Sequence, residues 1–332
     1  MRKLILIFVL VLFTTISYAQ FIFPVSNYLA EAKNVELSNF DIKDTLLFLP
    51  LGNEDLQILN ISDLNNIKDF SKYNEYEIRY REKVYGKALN VKVIGNRAYL
   101  AYGELGLKIL DITDPATPYS IATYYRHHDV NCVEIYENYA LLGFVGLGLE
   151  IIDFSDLENL VMVSRSNILG FTINNIQILP PYIMISGGSR GLKTFKFQDP
   201  FTNFKPAEFP KDFVKEAPAN KVLVRASTGY LANDYGSLSV LNLNLPLYPH
   251  EVKELKTNGK PLDLLIDRNY LYVACNKTIE VYDISEPEKP EKIFEHIDKD
   301  KKFQHIYIKG SNLFASFTQG KKQYGIMVFQ IE

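Results

Sequence analysis

Gly106-Leu107-Lys108-Ile109-Leu110-Asp111-Ile112-Thr113-Asp114-Pro115 holds, at residues 109–112, a phrase of the type apolar, apolar or aromatic, polar, apolar that closes a β-strand. Six further copies occur: Ile58-Leu59-Asn60-Ile61, Ile151-Ile152-Asp153-Phe154, Thr194-Phe195-Lys196-Phe197, Val240-Leu241-Asn242-Leu243, Val281-Tyr282-Asp283-Ile284 and Val328-Phe329-Gln330-Ile331. Six of the seven lead into a Ser/Asp/Pro-type turn. Their third residues lie 51, 42, 43, 46, 41 and 47 positions apart, a mean of about 45, the period of β-propeller blades.

Each repeat reads as four short strands separated by turn signals. In the second they run from Asn90 to Ile94, Ala98 to Tyr102, Leu107 to Ile112 and Tyr119 to Tyr125. Period-two alternation and β-branched or aromatic enrichment favour strands, and helical periodicity is not sustained over three turns. A second-strand position reads Phe48, Tyr99, Leu141, Met184, Tyr230, Tyr272 and Phe314, which fixes the register from blade to blade. The one sizeable insertion is Thr318 to Tyr324. Five residues before the closing phrase, Gly106, Gly148, Gly191 and Gly325 are expected in tight turns at positive φ, with Asp55, Ser237 and Thr278 in the other blades.

Residues 1–19 stand apart. Arg2 and Lys3 precede the apolar run Leu4 to Phe13 and then Ser17-Tyr18-Ala19, the layout of a signal peptide cleaved after Ala19. The apolar run is too short to span a bilayer. The expected mature chain, 20–332, is a single propeller domain that is exported, without a transmembrane segment, to a periplasm, a cell surface or the medium. Its blades are expected at about 35–76, 88–126, 129–168, 171–210, 219–257, 261–298 and 301–332. The last contains only three strands, so Phe21 to Ala32 is predicted to supply the fourth, within 21–33, and close the ring. The fold class is therefore all-β, a seven-bladed propeller of four-stranded antiparallel blades.

Composition narrows the partners. Thirty-six basic and 39 acidic residues leave a formal charge of −3, so no basic field exists to hold nucleic acid. Cys132 and Cys275 fall in blades three apart, too distant for a disulfide, and read as small buried residues. With no Trp in the chain, WD repeats, the Trp-containing Asp-box of sialidases and the Trp docking motifs of quinoprotein dehydrogenases are absent.

The stretch Gly106 to Pro115 resembles the LVIVD repeat of bacterial exported propellers. Gly148 to Asp156 and Ile279 to Pro287 match it nearly as well, whereas the copies around Lys196 and Asn242 lack the Asp. The resemblance covers essentially the whole mature chain and implies a seven-bladed propeller in an extracytoplasmic compartment. It transfers no catalytic residues and implies no cofactor. Tyr270-Leu271-Tyr272-Val273-Ala274-Cys275-Asn276 is similar to the repeats of YVTN-type propellers, which keeps a lactonase-like hydrolase as the alternative.

Near the start of each innermost strand the blades present Asn39, Asn90, Cys132, Asn175, Lys221, Asp263 and His305, each followed by an apolar residue. The first set is expected at the mouth of the central channel, as polar lining or as a small-ligand site, and the second in the inter-blade core. Asp263, His305 and Lys221 are the candidate catalytic groups of the hydrolase reading. The loops Asn74 to Lys87, Arg126 to Asp129 and Phe209 to Ala219 emerge at the same face as the insertion Thr318 to Tyr324. Tyr76, Tyr80 and Tyr85, among alternating charges, suit contact with an envelope or extracellular protein or glycan, or else form an extended outer strand. Arg126-His127-His128-Asp129 holds metal-ligand types, but adjacent His side chains on an extended chain point apart, and no metal site is assigned. His250 and His296 are expected to be exposed beside outer strands.

Overall fold

The computed structural model describes residues 21–30, 39–52, 56–125, 128–167, 170–187, 191–197, 205–206, 218–320 and 323–332. The segment 1–19, Asp55, Arg126, His127 and most of the loop from Phe209 to Ala219 lie outside them. Within them there is no helix, and seven four-stranded antiparallel sheets form a β-propeller. Successive blades begin with the inner strands Asp41–Lys43, Asn90–Ile94, Val130–Tyr136, Asn175–Leu179, Ala219–Arg225, Pro261–Asp267 and Lys301–Lys309. Each inner strand lies against the next, and the last meets the first.

The closing phrase is explained by its turn. The carboxylate oxygens of Asp111, Asp153 and Asp283 accept the backbone N–H two residues on, at 2.7, 2.8 and 2.7 Å. Asn60 and Asn242 do the same at 2.9 and 3.0 Å. A second such turn follows at once at Asp63, Asp114 and Asp156. In five of the seven phrases the polar third residue is thus an Asx turn that ends the strand and starts the crossing to the outer strand.

Apolar burial joins each blade to the next. The second-strand marker of one blade and the apolar inner-strand residue of the following blade share a cluster at every junction: Phe48 with Val91, Tyr99 with Val133, Leu141 with Ile176, Met184 with Val222, Tyr230 with Leu264, Tyr272 with Ile306, and Phe314 with Phe40. The core is therefore seven wedges between blades, each contributed from both sides.

Ile22–Ala30 closes the ring as the outer strand of the last blade, pairing antiparallel with Gln323–Ile331. Gly106, Gly148 and Gly191 adopt positive φ as expected, but Gly325 does not. It sits inside a strand because a Cβ there would lie 2.1 Å from the Tyr28 carbonyl oxygen and 2.7 Å from the Phe317 ring. The requirement is close approach of the closing strand, not turn conformation.

Three other expectations are corrected. The Thr318 to Tyr324 insertion lengthens two strands, which pair out to Gln319 and Gln323. The outer strand of the first blade ends at Tyr73, and Tyr76–Arg79 and Glu82–Tyr85 form a separate two-stranded hairpin. His296 is half-buried, its ring edge-on to Phe303 and Phe329, and burial lowers its pKa. His250 is exposed.

Because Gly325 has backbone on one side and an aromatic ring on the other, Gly325→Ala should destabilise the protein by roughly 1–3 kcal/mol. Urea unfolding measures this, and limited proteolysis should show earlier cutting around Ile22–Ala30. Unchanged stability would mean that the closing strand does not require the contact.

Candidate functional site

All seven mouth-ring residues line an axial cavity of about 1010 Å³. Their side chains do more than line it. An inner strand pairs on one edge only, so its buried N–H groups need partners on the other. Asn39 Oδ1 accepts the Val91 N–H (2.9 Å), Asn90 Oδ1 that of Val133 (3.4 Å), Asn175 Oδ1 that of Val222 (3.2 Å) and Asp263 Oδ2 that of Ile306 (2.8 Å). In each case the acceptor belongs to one blade and the donor to the next.

Asn131, Asn174 and Asn220, one position earlier, make the complementary tie. Their Nδ2 groups donate to the carbonyls of Ile173 (2.6 Å), Ala219 (3.1 Å) and Pro261 (2.8 Å). At the closing junction the His305 ring stands edge-on to Phe40 at 5.1 Å, and Tyr307 OH donates to the Ile42 carbonyl at 3.4 Å. These three asparagines were not among the sequence-derived candidates. The readable signal was an Asn in the same register in three consecutive blades.

Asp263 occupies an Asn-type slot with a charge added. Oδ1 accepts the Leu264 N–H at 2.9 Å and pairs with Lys221 Nζ at 2.5 Å. Oδ2 takes the Ile306 N–H and His305 Nδ1 at 2.5 Å. Burial opposes ionisation, yet His305 and Lys221 outweigh it and hold the carboxyl well below its ordinary range. The three catalytic candidates are therefore brought together, but Asp263 has its acceptor sites filled and is a positioning group. It holds His305 by Nδ1 and leaves Nε2 without a partner among the described residues. Burial pushes the Cys132 thiol up to about 12, which removes it as a nucleophile. Ser316 Oγ accepts the His305 backbone N–H at 3.1 Å.

One tier deeper the cavity is two-sided. Asp41, Lys92 and Glu134 come from the first three blades, while Leu223, Leu265 and Tyr307 come from the last three. Lys92 pairs with Glu134 at 2.9 Å. Burial works against its charge, but Glu134 raises its pKa overall. Asp41 has its pKa raised by burial, against the N–H groups of Val93 and Ile42 that bond its oxygens at 2.8 Å.

The Asn74 to Lys87 segment stands at the same mouth and is anchored. Glu75 pairs with Lys108 at 2.7 Å, and the Lys108 side chain is 3% exposed. Tyr73 OH also donates to Glu75, and Tyr102 OH accepts the Glu75 N–H at 2.9 Å. A Cβ on Gly86 would fall 2.1 Å from the Tyr102 ring. Beyond this root, Tyr76 and Tyr85 pair across the strands with ring centroids 5.4 Å apart, and Lys83 lies over Tyr76. Arg79 reaches Glu104 and the Tyr125 ring on the second blade. Tyr80 and Arg81 form the turn at φ 51° and 70°, and Tyr80 is fully exposed at the tip. Among the described residues no group of three His, Cys, Asp or Glu is arranged to hold a metal, and His128 is exposed.

The fold and the site define a seven-bladed propeller with an axial cavity and a decorated mouth. The LVIVD repeat model matches residues 85–125, 129–167 and 258–295, so the second, third and sixth blades are LVIVD repeats. No curated protein matches the chain. Among solved structures, the computationally designed Ika8 protein superposes with a TM-score of 0.61 at 8% identity, covering 92% of this chain and 99% of that one. That likeness concerns the fold alone.

Asp263→Ala should cost roughly 3–5 kcal/mol, since it strands Lys221 and the Ile306 N–H. Asp263→Asn should cost less, because an amide oxygen still accepts that N–H. A carboxyl held below its ordinary 3.8 stabilises fully above about pH 5 and loses this as pH falls through the folded-state value. The stability gap between wild type and Asp263→Asn should thus narrow below about pH 4 in urea titrations. A gap independent of pH would refute the charged clamp.

Proposed function

We propose that this protein is an exported, non-enzymatic binding or scaffold propeller that recognises an envelope or extracellular protein or glycan through the face bearing the channel mouth. The observation that carries the reading is the anchored hairpin. It adds no strand to a blade, yet its root is tied by an ion pair to the buried Lys108, and its outer face offers Tyr76, Ile78 and Tyr85 at 42, 66 and 51% exposure. Exposed aromatic rings on a stiff support are what recognition surfaces use, because little side-chain freedom is lost on contact.

Export rests on the signal-like segment from Arg2 to Ala19. Against the hydrolase alternative, the oxygens of Asp263 are engaged and the raised thiol pKa of Cys132 removes it as a nucleophile.

The test replaces Tyr76, Tyr80 and Tyr85 together by Ser and compares cross-linked capture from the native envelope extract with that of the intact chain. Substitution is used in place of deletion of Asn74 to Lys87, which would leave Lys108 buried without Glu75. Binding should be lost at near-unchanged stability, within about 1 kcal/mol, and prior protease or glycosidase treatment of the extract separates protein from glycan. Equal capture by both forms would overturn the reading.

A further inference from the structure

The outer strand of a propeller blade has an edge without a neighbour, and such an edge is a template for further pairing unless it is blunted. Six of the seven blades blunt theirs in one way. Where the outer strand pairs with the third strand, one residue is left over: Phe70, Ile121, Val163, Val252 and Ile293 in the first, second, third, fifth and sixth blades, and Val25 in the closing strand. Each is a bulge, which bends the strand and breaks the regular row of edge groups. The outer strand of the fourth blade is described only over Lys205–Pro206, where Pro206 lacks an N–H.

The hairpin between the first and second blades has no such device. Tyr76–Arg79 and Glu82–Tyr85 pair without a register shift, contain no Pro and pair with no other described strand. Both turn residues, Tyr80 and Arg81, have positive φ, the geometry in which the flanking pair, Arg79 and Glu82, exchanges its backbone bonds. Bonded and non-bonded pairs alternate from there, so the N–H and C=O of Tyr76 and Ile78 point out from one edge and those of Lys83 and Tyr85 from the other. No backbone group among the described residues bonds them.

Cross-strand partners share a face, which puts Tyr76, Ile78, Lys83 and Tyr85 together on one side, all exposed. On the opposite side Val84 packs against the inter-blade core and Arg79 meets Glu77 and Glu104. The exposed side therefore carries a single charge, that of Lys83. Its ammonium is carried across the ribbon to the Tyr76 ring, 4.2 Å from the centroid.

We propose that an extended, acidic segment of a partner protein adds to the Tyr76–Arg79 edge as a third strand, with a carboxylate at Lys83 and an apolar residue beside Ile78. Main-chain bonds then give affinity and alternate side chains give specificity. The choice of edge follows from charge: Glu77 is already paired with Arg79, whereas Glu82 on the other edge has no ion-pair partner among the described residues and would repel an acidic strand. This rests on the hairpin being the recognition surface, and it narrows the partner to protein, since a glycan cannot continue a backbone ladder.

The experiment repeats the cross-linked capture from the native envelope extract with Ile78→Pro, Ile78→Thr, Lys83→Glu and Lys83→Arg, beside the intact chain and the Tyr-to-Ser variant. Amide hydrogen exchange of the intact chain is followed with and without the retained protein. Proline at position 78 removes an outward N–H and none of the hairpin's own bonds. Ile78→Pro and Lys83→Glu should each lower capture about tenfold, while Ile78→Thr and Lys83→Arg keep it. The Tyr76 and Ile78 amides should exchange at least about tenfold more slowly in the complex. Undiminished capture by Ile78→Pro overturns strand addition, and undiminished capture by Lys83→Glu overturns the acidic partner; loss by the Tyr-to-Ser variant alone leaves the recognition reading standing without either. Exchange at Tyr76 and Ile78 that the partner does not slow overturns strand addition even where Ile78→Pro disturbs the hairpin. Capture abolished by glycosidase but not by protease puts a glycan in place of the strand and overturns the proposal. Equal capture by the Tyr-to-Ser variant and the intact chain, or none by either, overturns the recognition reading itself.

Discussion

Everything in this ring depends on how an inner strand satisfies the edge that has no neighbouring strand. Each blade uses a side chain from one inner strand to bond the backbone of the next. Asn39, Asn90, Asn175 and Asp263 accept N–H groups, while Asn131, Asn174 and Asn220 donate to carbonyls. Such ties act where the blades converge and backbone polar groups are dry, so leaving one unmade costs about 1–3 kcal/mol. They also fix the rise of one blade relative to the next, which apolar wedges alone leave loose.

Toward the rim the same problem is met with charge. Tyr28 of the closing strand reaches Asp69 of the first blade, where Gln57 donates to that carboxylate at 2.6 Å. Tyr124 of the second blade donates to Glu150 of the third at 3.0 Å, and Arg165 completes the pair. Glu280, fully buried, is bonded by Tyr282 at 2.5 Å, the Asn258 N–H at 2.7 Å and Lys292 at 3.2 Å. In each of these a carboxylate has several donors, and for the buried Glu150 and Glu280 this is the condition under which a buried charge is tolerated. They are structural groups, and their burial is no sign of catalysis.

What was legible in the sequence follows from what is local. The closing phrase is legible because an Asx turn needs Asp or Asn at one position, and strand alternation needs only neighbours. The junction pairs, such as Phe48 with Val91, are legible because a ring of repeats gives every blade the same two neighbours. The direction of the mouth residues was not. Register shifts at Val130/Cys132, Ala219/Lys221, Pro261/Asp263 and Phe303/Ile306 interrupt four of the seven inner strands, and a bulge leaves no local pattern to read, while Asn90 and Asn175 reach the next blade without one. The hairpin is not separable from an outer strand by its sequence for a related reason: Tyr76 to Tyr85 alternates as an outer strand would. What separates the two is the anchoring of Glu75 by Lys108, from a strand distant in sequence.

Asp263 shows how a repeat position becomes particular without changing its structural task. Its backbone tie to Ile306 is the one Asn39 makes to Val91, so a neutral amide would make that tie as well. The carboxylate adds a charge that must be met in a buried place, and Lys221 and His305 meet it from the blades on either side. Meeting it holds the imidazole by Nδ1 and spends the lysine charge. One substitution in a seven-fold pattern therefore places an internally paired charge in that arc of the mouth, next to the apolar wall of Leu223, Leu265 and Tyr307. The fold tolerates this asymmetry because the clamp is unchanged, and the asymmetry gives the cavity a chemical sidedness that seven equal blades would lack.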